Sequence, residues 1–184
     1  MSESAASSAP ATASASTGAG TGTAPGVGRS PADEHAEAVR RLRTFSLAQV
    51  LLLAVQTGLG FWANLFATLP AADQGKGLLS SFSDSVAKGP VSVASHAGFG
   101  MLVFVNACLL IVFSLTVRDS SVKLTSTLGW LCIAGAAVSG ATFVNANQDS
   151  NSASYASLTM GLLTMIAFAC YAWNLFVLGK DGGE

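Results

Sequence analysis

Residues 91–117 read VSVASHAGFGMLVFVNACLLIVFSLTV and contain no Asp, Glu, Lys or Arg. An α-helix rises about 1.5 Å per residue, so roughly 20 apolar residues cross the hydrocarbon core of a bilayer, which is about 30 Å thick. The stretch is therefore long enough to be a membrane-spanning helix. Because a surface helix of a soluble protein carries charged residues on its solvent-facing side, a stretch with none of them favours a lipid environment.

Three other stretches, 45–69, 124–148 and 151–179, are equally free of charged residues. The chain of 184 residues is 51% hydrophobic and 10% charged, whereas soluble domains carry about 25% charged residues. We therefore expect an all-α integral membrane protein. Because the later connections are short, consecutive helices should be antiparallel neighbours in a four-helix up-down-up-down bundle. The expected membrane helices cover about 44–69, 90–117, 123–147 and 152–178.

The N-terminal segment, residues 1–31, differs in composition from the rest of the chain. It consists mainly of Ala, Ser, Thr, Gly and Pro, and it lacks the large apolar side chains that offset the entropy cost of ordering a chain. We therefore divide the protein into a disordered tail at 1–31 and a four-helix transmembrane domain at 32–184. The segment 32–43, ADEHAEAVRRLR, has a helical pattern that permits it to continue into the first membrane helix.

Basic residues are distributed unevenly between the two ends of the expected helices. Six of them lie at one end: Arg40, Arg41, Arg43, Arg118, Lys123 and Lys180. The loop between the first and second membrane helices contains only Lys76 and Lys88, and the loop between the third and fourth contains no basic residue. Lys and Arg are enriched on the cytoplasmic side of membrane proteins. We therefore expect a multi-pass plasma-membrane protein with both termini in the cytoplasm.

The first outer loop contains a short amphipathic segment at about 77–88, GLLSSFSDSVAK. Its apolar residues Leu78, Leu79, Phe82 and Val86 recur at helical spacing. This pattern predicts a helix that lies in the membrane interface.

Polar side chains inside the spans are informative because each needs a partner away from lipid. We expect five of them to line a polar pocket that opens to the cell exterior: Gln56, Asn64, Thr142, Asn145 and Asn147. His96 and Tyr155 are expected in the same outer half. The alternative is that these residues only pack helices together, since an Asn or Gln that bridges two membrane helices contributes about 0.6–2 kcal/mol.

The sequence contains little evidence for disulfide bonds, catalysis, metal binding or nucleic-acid binding. The three cysteines, Cys108, Cys132 and Cys170, fall in different expected helices and form no C-x-x-C motif, so we interpret them as small apolar packing residues. No catalytic or metal-binding residue is predicted, because the motifs of hydrolases, phosphate-binding loops and zinc enzymes do not occur. A net charge of −1 and the lack of a basic stripe argue against a nucleic-acid partner.

Three segments carry a resemblance to known proteins: QTGLGFWANLFATLP, SHAGFGMLVFVNACLL and GATFVNANQDSNSASYASL. They are similar to segments of small uncharacterised four-helix membrane proteins of actinobacteria. This resemblance covers roughly residues 40–180 and brings no function with it. The layout also resembles one half of a heme A synthase, a family in which each four-helix half binds heme between histidines near the starts of its second and fourth helices.

His96 matches the first of those two places, whereas Tyr155 occupies the second. No carboxylate precedes His96 where the family has a catalytic acid. The resemblance therefore does not imply the synthase reaction. The resemblance still implies that the chain could bind a b-type heme with His96 as axial ligand, either alone or paired with Tyr155.

Three hypotheses of function remain. The leading one is a non-enzymatic membrane protein, an accessory or partner-binding subunit that contacts the lipid bilayer and other membrane proteins or a second copy of itself. The alternative is a membrane cytochrome-like protein that binds heme b through His96. The third is a small-solute carrier, although no charged residue within the spans would couple transport to an ion. The ligand, the partner, the oligomeric state and the role of the tail stay open.

Overall fold

The computed structural model describes residues 30–67, 75, 77–146 and 150–180. They form five α-helices: α1 (Pro31–Phe66), α2 (Leu78–Lys88), α3 (Val91–Ser114), α4 (Ser120–Asn145) and α5 (Asn151–Lys180). Among these residues no strand occurs, and α1, α3, α4 and α5 are long and apolar enough to cross a membrane. The prediction of an all-α membrane protein with four spans is confirmed in this respect. The predicted disordered tail lies outside the described residues.

The helix that contains the first span is longer than the span itself. It begins at Pro31, well before the charge-free stretch 45–69. A capping box starts α1: the Ser30 hydroxyl accepts a hydrogen bond from the Asp33 backbone N–H at 3.2 Å, and the Asp33 carboxylate accepts one from the Ser30 N–H at 3.3 Å. Pro31 occupies the first turn, where its missing N–H costs nothing. Because no later residue ends the helix before Phe66, the segment 32–43 and the first span form one continuous helix.

α1 and α3 are antiparallel neighbours. The Phe45 ring, near the start of the span in α1, lies 4.9 Å from the Phe113 ring at the end of α3. Gln56, three turns further along α1, hydrogen-bonds to His96 near the start of α3. α4 and α5 are antiparallel as well, because Ser126 early in α4 pairs with Asn174 late in α5.

The four spans form a ring. α3 packs against α4 and α5 packs against α1, in addition to the pairs α1–α3 and α4–α5. α2 packs on α3 and α4 at one end of the ring, where the Ser81 hydroxyl donates a hydrogen bond to the Asn145 side-chain oxygen at 3.3 Å. We call this end the α2 end, and we call the opposite end, which carries Arg40 and Lys180, the arginine end.

α2 turns its polar face inward. Ser81 and Ser85 are buried, whereas Leu79 is 84% exposed and Val86 is 41% exposed. A helix is thus present at the predicted position, and Ser81 and Ser85 rather than Leu79 face the rest of the protein. An apolar outer face is the arrangement that contact with lipid favours.

The distribution of side chains is the reverse of that in a soluble protein. Ser46, Gln49, Ser126 and Asn174 have no exposed surface at all. Large apolar side chains cover the outside of all four spans and include Leu65 at 70%, Leu124 at 68% and Met165 at 65% exposure. Soluble proteins seldom expose contiguous apolar patches of this extent, so the surface of the ring is suited to contact with a lipid bilayer.

Close contact between α4 and α5 depends on Gly129. A Cβ atom at this position would lie 2.8 Å from the ring of Tyr171, which is fully buried. We expect Gly129→Ala to lower the free energy of unfolding by about 1–3 kcal/mol, the usual cost of overpacking. The matched control is Gly161→Ala on α5, where a Cβ meets no atom within 4 Å. Thermal unfolding in detergent micelles measures both variants, and equal stability for the two would contradict this packing.

Candidate functional site

Two polar side chains join α1 to α3 towards the arginine end, about one turn into the charge-free stretch of α1. Asn106 donates hydrogen bonds from Nδ2 to the side-chain oxygen of Gln49 at 2.6 Å and to the carbonyl oxygen of Phe45 at 3.2 Å. Gln49 donates from Nε2 to the carbonyl oxygen of Val103 at 3.2 Å. Both polar atoms of the Gln49 side chain and Asn106 Nδ2 therefore have partners, and no atom of the pair is among the buried polar atoms that lack one.

A second polar connection joins α4 to α5 towards the arginine end. Asn174 Nδ2 donates to the Ser126 hydroxyl at 2.9 Å, and its side-chain oxygen accepts a hydrogen bond from Thr125. Close by, the Trp173 indole N–H donates to the Ser121 hydroxyl at 3.2 Å. Sequence reasoning singled out none of these residues. The only sequence feature that pointed to this connection was an Asn, Asn174, inside a charge-free stretch. Its spacing did not distinguish it from the other polar residues of the spans.

Gln56 and His96 form a third connection, between α1 and α3 at the α2 end. Gln56 Nε2 lies 3.1 Å from the backbone oxygen of His96 and 3.3 Å from its ring atom Nε2. Because a backbone carbonyl can only accept, the amide nitrogen of Gln56 must face His96. The ring Nε2 is then an acceptor as well, and the neutral imidazole carries its proton on Nδ1.

This third connection differs from the other two because it is incomplete. His96 Nδ1 and Gln56 Oε1 are both buried, and neither has a hydrogen-bond partner within the described part of the chain. One is a donor and the other an acceptor. Buried polar groups are nearly always hydrogen-bonded, to protein or to ordered water. Each of these two atoms can therefore form a hydrogen bond with a further polar group.

Two glycines allow α1 and α3 to approach at this point. A Cβ at Gly60 would lie 3.1 Å from His96 Cε1, and a Cβ at Gly100 would lie 3.1 Å from Gln56 Nε2. Both distances are tighter than ordinary contacts, so larger residues would push the polar side chains out of place. We call Gln56, Gly60, His96 and Gly100 the Gln56–His96 site. Chemically it offers one N–H donor and one carbonyl acceptor to a small polar molecule or a water.

The structure places the other predicted pocket residues in different surroundings. Asn64 is exposed, and Tyr155 is 71% exposed on α5. The Thr142 hydroxyl donates to the Val138 carbonyl of its own helix at 2.9 Å. Asn145 accepts hydrogen bonds from α2 and from the Gly75 backbone N–H. Asn147 lies outside the described residues. Of the predicted set, the structure brings Gln56 and His96 into one contact.

In this structure His96 Nε2 is engaged by Gln56 and is not free to bind heme iron. Ring atom Nε2 faces the Gln56 amide at 3.3 Å, and the Cε1 edge faces Gly60 on α1. An iron atom bound to Nε2 would require the Gln56 side chain to move. Tyr155, the second residue of the expected pair, is turned to the outside of α5.

Comparison of the chain with protein families, with curated proteins and with solved structures found no match. The functional assignment therefore rests on the residues of the chain and their geometry.

The protonation of His96 is directly measurable by NMR, because the chain has only two histidines and the other, His35, is exposed. In alkaline buffer, ring-15N labelling should show the His96 proton on Nδ1 and an acceptor at Nε2. Gly60→Ala should shift both ring signals, because the added Cβ would lie 3.1 Å from Cε1.

The matched control for this measurement is Gly58→Ala, two residues earlier on α1, where a Cβ meets nothing within 4 Å. Its His96 signals should equal those of the wild type. A His96 ring with its proton on Nε2 would contradict the hydrogen bond from Gln56.

Proposed function

We propose that the chain is a non-enzymatic multi-pass membrane protein, an accessory subunit whose outward-facing polar pocket is the Gln56–His96 site. The observation that carries this proposal is the buried Nδ1 donor and Oε1 acceptor without partners. A small polar molecule with one acceptor and one donor would complete both hydrogen bonds. On the positive-inside rule, the α2 end faces the cell exterior and both termini are cytoplasmic.

Three threonine hydroxyls of the spans support a binding role rather than a catalytic one. Thr57, Thr142 and Thr164 each donate to the backbone carbonyl four residues earlier, at 2.8–2.9 Å. A nucleophilic hydroxyl needs a neighbouring base within hydrogen-bond reach, and these hydroxyls are engaged by their own helices. Ring atom Nε2 of His96, the histidine of the spans, is engaged by Gln56.

Native mass spectrometry of the protein released from nanodiscs tests the binding role. The wild type should carry a small-molecule adduct, and Gln56→Leu and His96→Leu should each lose it, because either change removes one half of the site. Thr142→Val is the matched control: it deletes a polar group at the same end whose bond stays within its own helix, so the adduct should remain.

Two outcomes of this experiment would count against the proposal. A wild type that carries no adduct would mean that water alone fills the site. A heme adduct with a Soret absorption band, lost in His96→Leu, would instead establish the cytochrome function. Heme supply during growth is therefore part of the experiment.

The accessory role predicts that a partner covers one side of the ring of spans. A photo-crosslinking amino acid is placed at one exposed position on each span, namely Leu51, Met101, Val138 or Leu162. Because a partner covers one side, crosslinks to protein should be confined to one or two neighbouring helices, and the remaining positions should react with lipid. Each variant thereby controls for the others. Lipid adducts alone at all four positions would contradict a stable partner, and an adduct of twice the chain mass would identify the partner as a second copy.

A further inference from the structure

A groove lies between α1 and α5 at the arginine end. It has a volume of about 320 Å³ and is lined by Arg40, Arg43, Thr44, Leu47 and Leu175. Ligand pockets usually measure about 300–1,000 Å³, so this groove has room for part of a small amphiphile. The four lining residues of α1 are spaced as on one face of a helix. Along that face the lining changes from charged to apolar.

The change in lining occurs at the depth where the bilayer begins. The charge-free stretch 45–69 starts directly after Arg43 and Thr44. On α5, at the same end, Trp173 and Phe176 are about half exposed, and Lys180 Nζ lies 4.4 Å above the centre of the Phe176 ring. Aromatic and basic residues of this kind mark the headgroup region of a membrane. The charged part of the groove is therefore at headgroup level and the leucine part at acyl-chain level.

The two arginines of the groove carry uncompensated charge. Their neighbour Arg41 forms an ion pair with Glu37 at 2.5 Å. In contrast, no acidic side chain of the described residues lies within ion-pair distance of Arg40 or Arg43. The Thr44 hydroxyl donates to the Arg40 carbonyl at 3.0 Å and so adds no free donor. The polar end of the groove thus presents two guanidinium groups to an anion.

We propose that this groove binds an anionic phospholipid. The phosphate lies between the guanidinium groups of Arg40 and Arg43, and an acyl chain lies along Leu47 and Leu175. Guanidinium groups match the geometry of phosphate oxygens, and basic pockets between membrane helices are suited to anionic headgroups. Leu47 is 49% exposed, so its apolar surface is available to the lipid. This site is separate from the Gln56–His96 site and does not depend on its function.

Native mass spectrometry of delipidated protein titrated with phosphatidylglycerol or with phosphatidylcholine tests the proposal. The wild type should retain phosphatidylglycerol in preference to phosphatidylcholine. A basic residue near an anionic headgroup changes binding about fivefold, so the double variant R40Q/R43Q should weaken phosphatidylglycerol binding by about 30-fold. The matched control is Arg41→Gln, which removes the same charge from the same turn but from a residue already paired with Glu37, and it should change binding by less than about twofold.

The apolar half of the groove is tested without any change in charge. Leu47→Trp fills the groove and should abolish the preference for phosphatidylglycerol. Leu51→Trp, one turn further along α1 at a residue that is 59% exposed and does not line the groove, should leave the preference unchanged. These side chains lie on the surface, so their replacement has little effect on folding.

Three results would overturn the proposal. If Arg41→Gln weakens binding as much as R40Q/R43Q, the attraction is a general effect of surface charge. If Leu47→Trp leaves the preference intact, no acyl chain occupies the groove. If millimolar inorganic phosphate displaces the lipid headgroup and binds on its own, the site recognises free phosphate rather than a phospholipid.

Discussion

The structure depends on one constraint: hydrocarbon offers no hydrogen bonds, so a polar group left without a partner at membrane depth is costly. Helices meet this constraint for the backbone. Side chains meet it in pairs, as in Gln49 with Asn106 and Ser126 with Asn174. Apolar faces give little preference for one rotation of a membrane helix, because lipid tails are as apolar as leucine. The buried polar pairs therefore determine which face of each span turns inward.

Close approach of the helices follows from the same constraint. Polar side chains reach a neighbouring helix only where small residues bring the two backbones together. At Gly129 the Tyr171 ring lies directly against α4, and on α1 and α3 the glycines Gly60 and Gly100 make room for His96 and Gln56. Glycine is unfavourable within a soluble helix, but here it is the condition for van der Waals contact and for the hydrogen bonds between spans.

The sequence predicted the spans because the absence of charge over a bilayer thickness is a property of one segment by itself. It also named Gln56 as a pocket-lining residue and placed His96 in the outer half of the bundle. It did not predict that His96 faces α1, because helical periodicity shows which residues share a face and not which neighbour that face meets. For the same reason Asn174 was missed: its partners on α4 become visible only when the two helices are packed. The start of α1 depends on the Ser30–Asp33 capping box, a local signal upstream of the span.

The Gln56–His96 contact is hard to explain as a connection between helices alone. A polar bridge in a membrane contributes about 0.6–2 kcal/mol, whereas each buried polar group left without a partner costs about 1–3 kcal/mol. With Nδ1 and Oε1 both unpaired, the cost exceeds the gain. Gln49 and Asn106 avoid this cost because neither side chain has a buried polar atom without a partner. The contact therefore becomes favourable when a third group forms hydrogen bonds with both unpaired atoms. A molecule from outside the chain can be that group, and the contact then acts as a binding site.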